Sequence, residues 1–212
     1  MLLPAAIFGL GTVGNAVVVG STGAVGTLAG GWRYDVASSI ATVSPASGQY
    51  GMRVTIDSTA LRGYGLSVVS ASLVGLSAQI WQQSDTSVVV AAANGPLSQT
   101  QGAVVFTADT GATVSRSNSW TYIVPGTISE VSPTTGYGDT QVTILGMELC
   151  GGGSNVVNVT LAGFAADSVS ATLCSGRVVV TARDLGANVT GDDVVLISNT
   201  GAIVNQVWAG HM

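Results

Sequence analysis

The chain has 212 residues, enough for one large or two ordinary domains, and carries a formal net charge of −5. Only 8% of the residues are charged, against roughly 25% in typical soluble domains, and all six cations are arginine. The acidic balance argues against a nucleic-acid partner, which needs a basic surface. No apolar run approaches the ~18 residues that span a bilayer, so we expect no membrane span in this segment.

Residues 1–11 are apolar but lack the features of a signal peptide. No cation precedes the apolar stretch, and Pro4 and Gly9 interrupt it. An internal repeat explains this stretch better, because Met1 corresponds to Val89 when the chain is aligned with itself. The stretch is then expected to be the remnant of strands equivalent to residues 88–106.

The repeat is visible in the tryptophans, since Trp32, Trp120 and Trp208 are each 88 residues apart. Two Val-Ser-Pro tripeptides, ending at Pro45 and Pro133, recur at the same spacing. A period of this size fits a small β-sandwich domain and is too long for a solenoid repeat.

The repeat divides the chain into three units. We predict the C-terminal half of a first repeat in residues 1–38, a second repeat in residues 39–124 and a third in residues 127–210. Pro125 and Gly126 form a two-residue joint, because proline cannot donate to a strand ladder and glycine is free in φ. A half sandwich leaves a core face and strand edges open. We therefore expect a piece of a longer tandem array, in which Met1 need not be the native start.

Seven strands are predicted in the second unit from β-branched residues bounded by turn signals. Val54 and Ile56 alternate with Arg53, Thr55 and Asp57, which predicts one face in a core and one in solvent. No segment has a sustained 3.6-residue period, so the fold class is all-β with minimal helix. The predicted strands cover residues 40–43, 53–57, 66–74, 78–82, 87–93, 103–108 and 113–123.

The chain resembles IPT/TIG domains, which have an immunoglobulin-like fold. The residues that carry the resemblance are Ile128 to Gly136 with their Ser-Pro-x-x-Gly turn, the Val-Thr-Ile-x-Gly strand from Val142, and the aromatic-x-Tyr strand Trp120-Thr-Tyr122. The second unit departs from the family pattern at residues 57–58, where the family has glycine. The resemblance implies tandem immunoglobulin-like sandwiches of about seven strands, and arrays rich in Gly, Ser and Val resemble surface or matrix glycoproteins of protists and algae.

Both cysteines, Cys150 and Cys174, lie in the third unit. Their counterparts in the second unit are Arg62 and either Ser84 or Thr86, so one copy has both cysteines and the other has neither. This distribution favours a disulfide, which would close a loop worth about 3 kcal/mol and indicate an oxidising compartment. The alternative is a pair of buried thiols.

Two Asn-x-Thr sequons, at Asn158 and Asn188, are candidates for N-glycosylation. If Val157, Val159 and Leu161 point inward, Asn158 faces out. With the disulfide, the sequons favour a secreted, extracellular or cell-surface protein.

No catalytic, cofactor-binding or metal-binding residues are predicted. The single histidine, His211, is the penultimate residue, and the adjacent Asp192 and Asp193 are typical of a turn. The glycine-rich residues 9–14 and 151–153 lack the strand–loop–helix setting of a phosphate site. A calcium site at an interdomain joint would draw on three acidic residues, namely Glu130, Asp139 and Asp184.

The aromatic residues have two expected roles. Trp32, Trp120 and Trp208 recur in every unit, and with Tyr122 they are predicted to pack inside the repeats. Trp81 has no aromatic counterpart in the third unit, so it is the candidate for an exposed contact. The alternative is a place in the core or at the edge of a sheet.

Three functions follow from these observations. The first is a non-catalytic structural module of an extracellular fibre, coat or surface glycoprotein, whose partners are neighbouring repeats or other copies and possible glycans. The second is an adhesion or receptor ectodomain that recognises a protein or carbohydrate. The third is an accessory domain of an enzyme that lies elsewhere in a parent chain.

Overall fold

The computed structural model describes residues 12–186 and 193–206, and in this part of the chain the backbone forms strands and no helix. No helix there could therefore cross a membrane. Contacts divide the chain between Ser38 and Ser39. The part up to Ser38 contains one hairpin, and the part from Ser39 onward contains two β-sandwiches. We call these the second and third sandwiches, after the second and third repeats of the sequence.

The hairpin of the first unit pairs β1 (Val13–Val19) with β2 (Val25–Arg33). Gly14 lies opposite Trp32, and a bulge follows before Ala16. These two strands form a two-stranded sheet, and Trp32 on β2 is 59% exposed. Its ring contacts Tyr34 edge to face, with centroids 5.9 Å apart. The ring of Trp32 is thus exposed on this hairpin, whereas the sequence predicts that it packs inside a repeat.

The second sandwich confirms the seven predicted strands, with shifts of one to three residues at several ends, and has two further strands of two residues each. One sheet has the order β3-β5-β9-β8, and the other has the order β4-β11-β10-β6-β7. The strands are β3 (Ser39–Ser44), β4 (Ser47–Gly48), β5 (Arg53–Thr59), β6 (Val68–Leu73), β7 (Leu76–Ser77), β8 (Gln79–Gln83), β9 (Ser87–Ala91), β10 (Thr100–Ala108) and β11 (Thr113–Tyr122).

Large aromatic side chains fill the core between these sheets. Trp120 and Tyr122 are buried and meet edge to face, with centroids 5.9 Å apart. Phe106 is buried on the neighbouring β10. The predicted alternation of β5 is confirmed, because Val54 and Ile56 are fully buried. Trp120 and Tyr122 thus have the packing role expected of them.

The third sandwich has the sheets β12-β13-β17-β16 and β15-β14-β18-β19. Its described core is aliphatic, with Ile144, Leu149 and Leu196 as its largest fully buried side chains. The strands are β12 (Thr127–Ser132), β13 (Gln141–Met147), β14 (Val156–Leu161), β15 (Phe164–Ala165), β16 (Ser168–Leu173), β17 (Arg177–Thr181), β18 (Val194–Ser198) and β19 (Ile203–Gln206).

A bulge in β14 overturns the expected inward direction of Val157. The pairing of β14 with β18 shifts between Val156 and Asn158, so Val157 is the extra residue. Val157 is 54% exposed, and Val156 is buried in its place. The alternation predicted for this strand starts correctly only at Val159.

Candidate functional site

The acidic residues in the part of the chain that the structure describes form no cluster of metal ligands. No group of three or more His, Cys, Asp or Glu side chains is placed to hold a metal ion there, and this includes Glu130, Asp139 and Asp184. His211 and Asp192 lie outside the described residues. The candidate functional feature is instead the joint between the second and third sandwiches, where buried hydrogen bonds link the two domains. The joint comprises the turn 48–53, the connection 123–126 and the hairpin tip 200–203.

The side chain of Gln49 lies at the centre of the joint and is almost fully buried. Its Oε1 accepts a hydrogen bond from the backbone N–H of Gly126, with a distance of 2.7 Å. Its Nε2 donates to the backbone carbonyl of Ile203, also at 2.7 Å. One amide thus fastens the turn of the second sandwich to the connection and to the third sandwich. Both of its polar atoms are paired, as burial requires.

Two backbone hydrogen bonds reinforce this amide. The N–H of Arg53 donates to the carbonyl of Thr200, and the N–H of Ile203 donates to the carbonyl of Tyr50, each at 2.9 Å. Between them, Ala202 of the third sandwich is buried against the core of the second. Apolar packing therefore continues across the joint.

Glycines allow the backbones to approach this closely. A Cβ on Gly126 would lie 2.3 Å from the carbonyl oxygen of Glu148. A Cβ on Gly51, whose φ is +80°, would lie 2.7 Å from the carbonyl oxygen of Gly201. Neither contact leaves room for a side chain, so both positions require glycine in this arrangement.

A cleft of about 270 Å³ opens beside the joint. Its walls carry amides and phenols and no charged side chain. Tyr50 is half-exposed at the cleft, whereas Tyr122 is buried and its Oη has no normal hydrogen-bond partner among the described residues. The remaining lining residues are Gln49, Asn94, Gly95, Pro96, Ile123, Pro125, Gly126, Ile203 and Asn205.

The sequence predicts the connection through Pro125 and Gly126 but gives no sign of Gln49. The bonds of Gln49 reach residues 77 and 154 positions away, so no local pattern contains both partners. The one local signal is the placement of this glutamine between Gly48 and Gly51, in a turn that brings backbones close together.

The structure joins Cys150 to Cys174 in a disulfide, with the two Cα atoms 4.9 Å apart. The predicted disulfide is therefore confirmed.

The prediction that Ser84 or Thr86 is the counterpart of Cys174 was wrong. Leu149 donates its N–H to the carbonyl of Cys174, and in the second sandwich Leu61 donates to the carbonyl of Asp85. Relative to the second sandwich, the third has two extra residues, one before β16 and one after it. The strand β16 is therefore offset from β8 by 89 residues, and Asp85 is the counterpart of Cys174.

The same offset identifies the counterpart of Trp81. Trp81 is the bulged residue of β8, and Ser170 is the bulged residue of β16. The indole is 53% exposed, and the guanidinium carbon of Arg53 lies 4.3 Å from the ring centroid. Trp81 is thus an exposed aromatic residue with a cation–π partner, as its lack of an aromatic counterpart suggested.

The two sequons fall in different parts of the chain. Asn158 is half-buried on β14, opposite Ile197. Asn188 lies outside the described residues, as does Trp208. Glycosylation of either asparagine stays a prediction.

Comparisons with known proteins give a likeness of fold. No protein-family model and no curated protein matches the chain. Among solved structures, the chain is similar to the plexin A4 extracellular region at 18% identity and a TM-score of 0.48, over 80% of this chain and 15% of that one. It is also similar to SGBP-B of a xyloglucan utilization locus in Bacteroides uniformis (16%, TM-score 0.30, 81% of this chain and 48% of that one). A third is the surface glycan-binding protein PbSGBP-B of Prevotella bryantii (10%, TM-score 0.33, 81% and 41%).

Proposed function

We propose that the chain is a non-catalytic structural module of an extracellular fibre, coat or surface glycoprotein, built from tandem immunoglobulin-like sandwiches of the IPT/TIG type. The joint around Gln49 is the observation that carries this proposal. A module that transmits load or sets spacing needs a fixed angle between successive domains. A flexible linker without mutual contacts would leave that angle free.

Separation of the two sandwiches has a definite cost. It would withdraw Ala202 from an apolar core and break both hydrogen bonds of the Gln49 amide. It would also break the two backbone bonds that join the turn 48–53 to the tip 200–203. Each hydrogen bond contributes about 1 kcal/mol net, so the closed joint is favoured over an open one by several such terms.

The extracellular setting is supported by the disulfide and by the composition. Disulfides persist in oxidising compartments. With only 8% charged residues, the surface depends on hydroxyl and amide groups for its solvation. Such a surface suits lateral packing with other copies or a covering of glycan, which are the partners proposed for this module.

The fixed joint is tested by residual dipolar couplings measured on the whole chain. One alignment tensor should fit the second and third sandwiches together. In Gln49→Ala, the N–H of Gly126 and the carbonyl of Ile203 lose their partner, and we expect a loss of about 2–3 kcal/mol of stability together with two distinct tensors. Separate tensors in the wild-type chain would sink the proposed rigid joint.

Gln101→Ala is a suitable control for this experiment. Gln101 is an exposed glutamine on β10 that donates to the carbonyl of Asn118 within the same sandwich. It should leave the single tensor unchanged. Electron microscopy of the native material then tests assembly: regular polymers support the structural function, and isolated particles in all preparations contradict it.

A second function, recognition of a carbohydrate ligand, is supported by the exposed Trp81. The equivalent position in the third sandwich is Ser170, so the fold does not need a tryptophan there.

A further inference from the structure

The outer face of the sheet β3-β5-β9-β8 holds an aromatic–arginine pair that packing does not explain. Arg53, Ala91 and Gln79 are aligned across three neighbouring strands. Ala91 is small, so the Arg53 side chain can extend across β9 to the bulged Trp81 on β8. Its guanidinium stacks on the indole at 4.3 Å, and more than half of the indole stays exposed.

The backbone and stem of Arg53 are held in position, whereas its guanidinium donors have no partner in the part of the chain that the structure describes. Its N–H is bonded to Thr200, and its stem passes close to Gly201, where an added Cβ would lie 3.3 Å from Cγ. Within the described residues its guanidinium makes no hydrogen bond or ion pair. On the same strand, the Asp57 carboxylate accepts instead from the Thr42 hydroxyl, at 3.0 Å. Among the described residues the guanidinium therefore has an aromatic contact and no paired anion.

The third sandwich shows what this fold has when the pair is missing. Gln141 stands in the place of Arg53, Thr181 in the place of Ala91 and Ser170 in the place of Trp81. The Ser170 hydroxyl bonds locally to the carbonyl of Val179. Because an equivalent sheet forms without the aromatic or the cation, their presence in the second sandwich points to a ligand.

We propose that Trp81 and Arg53 form a binding site for a carboxylated sugar unit of an acidic polysaccharide. A guanidinium pairs with a carboxylate through two parallel N–H donors. The exposed part of the indole offers an apolar surface to the C–H face of the sugar ring. Gln79 and Gln82, both exposed on β8, can donate to and accept from sugar hydroxyls.

Both ligand features are needed at this site. A neutral sugar would leave the guanidinium unpaired, and a small anion would leave the indole uncovered. The proposal rests on the recognition function and not on the structural one. A flexible joint would therefore leave it standing, and failure of binding would leave the structural function standing.

Titration of the whole chain with polygalacturonate at physiological salt, followed by calorimetry, tests the site. The matched probe is methyl-esterified polygalacturonate, which keeps the sugar and removes the charge. We expect at least tenfold weaker binding of the esterified polymer. Trp81→Ser and Arg53→Gln, which install the residues of the third sandwich, should each weaken binding of the acid form by at least tenfold.

Tyr137→Ser is the control, because Tyr137 is an exposed aromatic residue of the third sandwich, 86% accessible. It should bind as the wild type does. Thermal unfolding of each variant separates a lost site from a lost fold, and Trp81→Phe, which keeps a smaller ring, should restore part of the affinity if Trp81→Ser fails to fold. Equal affinity for the two polymers, or wild-type affinity in folded Trp81→Ser, overturns the proposal.

Discussion

The turn after β8 in the second sandwich and the turn after β16 in the third occupy equivalent positions but are fastened by different chemistry. In the third, Cys150 is bonded covalently to Cys174. In the second, Arg62 takes the place of Cys150 and Asp85 that of Cys174. The Arg62 guanidinium donates to the carbonyl of Gln83 at 3.1 Å, and the backbone N–H of Arg62 donates to the Asp85 carboxylate at 3.4 Å.

The cores of the two sandwiches give a reason for this difference. The second buries Trp120, Tyr122 and Phe106, whereas the described core of the third is aliphatic. Buried apolar area contributes about 25 cal/mol per Å², and aromatic side chains bury the most area per residue. Among the described core residues, the sandwich with the smaller side chains is the one with the covalent link. Disulfides are most common where the hydrophobic core is small, because they constrain the unfolded chain.

Removal of the disulfide should have the largest effect on this comparison. In Cys150→Ala/Cys174→Ala the third sandwich should lose about 3 kcal/mol, because a loop of this length is no longer closed in the unfolded state. Denaturant unfolding followed by NMR signals assigned to each sandwich would show the midpoint of the third falling while the second moves less. A loss below about 1 kcal/mol would show that the aliphatic core is sufficient alone.

Arg62→Ala tests the other half of the comparison and should cost less. It removes a charged donor from the carbonyl of Gln83, a bond worth about 1.5–3 kcal/mol. The second sandwich should be destabilised by about 2 kcal/mol in the same unfolding assay. Arg116→Ala is the matched control, because the guanidinium of Arg116 also donates to a backbone carbonyl, that of Ala41, but this side chain is exposed. If both substitutions cost the same, Arg62 does not replace the disulfide.

Much of this fold could be predicted from the sequence, because β-branched alternation and the 88-residue period are local or repeated signals. The strand that starts at Arg53 and the packing of Trp120 are examples. The pairing of Cys150 with Cys174 followed from their shared absence in the second unit. These predictions depend on residue types that are compared position by position.

The features that the sequence did not reveal depend on register or on distant backbone. The counterpart of Cys174 was misplaced because one inserted residue lies on each side of β16, and only strand pairing locates them. Val157 was predicted to point inward because a bulge has no clear sequence signature. Gln49 was missed because an amide in a turn is normally solvated, and here the third sandwich covers it.

The smallest expected difference between the two sandwiches is in how their stability depends on pH. Burial raises the pKa of Tyr122 above its ordinary value near 10, and a weaker contact with the backbone of Ala93 opposes this effect only in part. The folded state therefore holds the phenol proton after the unfolded state has released it. Stability from this group is complete below about pH 10 and falls as the pH rises from there through the folded pKa, by at most about 1.4 kcal/mol per pH unit.

The second sandwich should consequently weaken before the third above pH 10. Tyr122→Phe should remove this alkaline loss at little cost at neutral pH, because the buried hydroxyl has no normal hydrogen-bond partner to lose. Denaturant unfolding at pH 7, 10 and 11 would measure both effects, with Tyr137→Phe as the exposed control. If Tyr122→Phe keeps the wild-type alkaline slope, another group is responsible, and the aromatic core of the second sandwich is not its weak point in alkali.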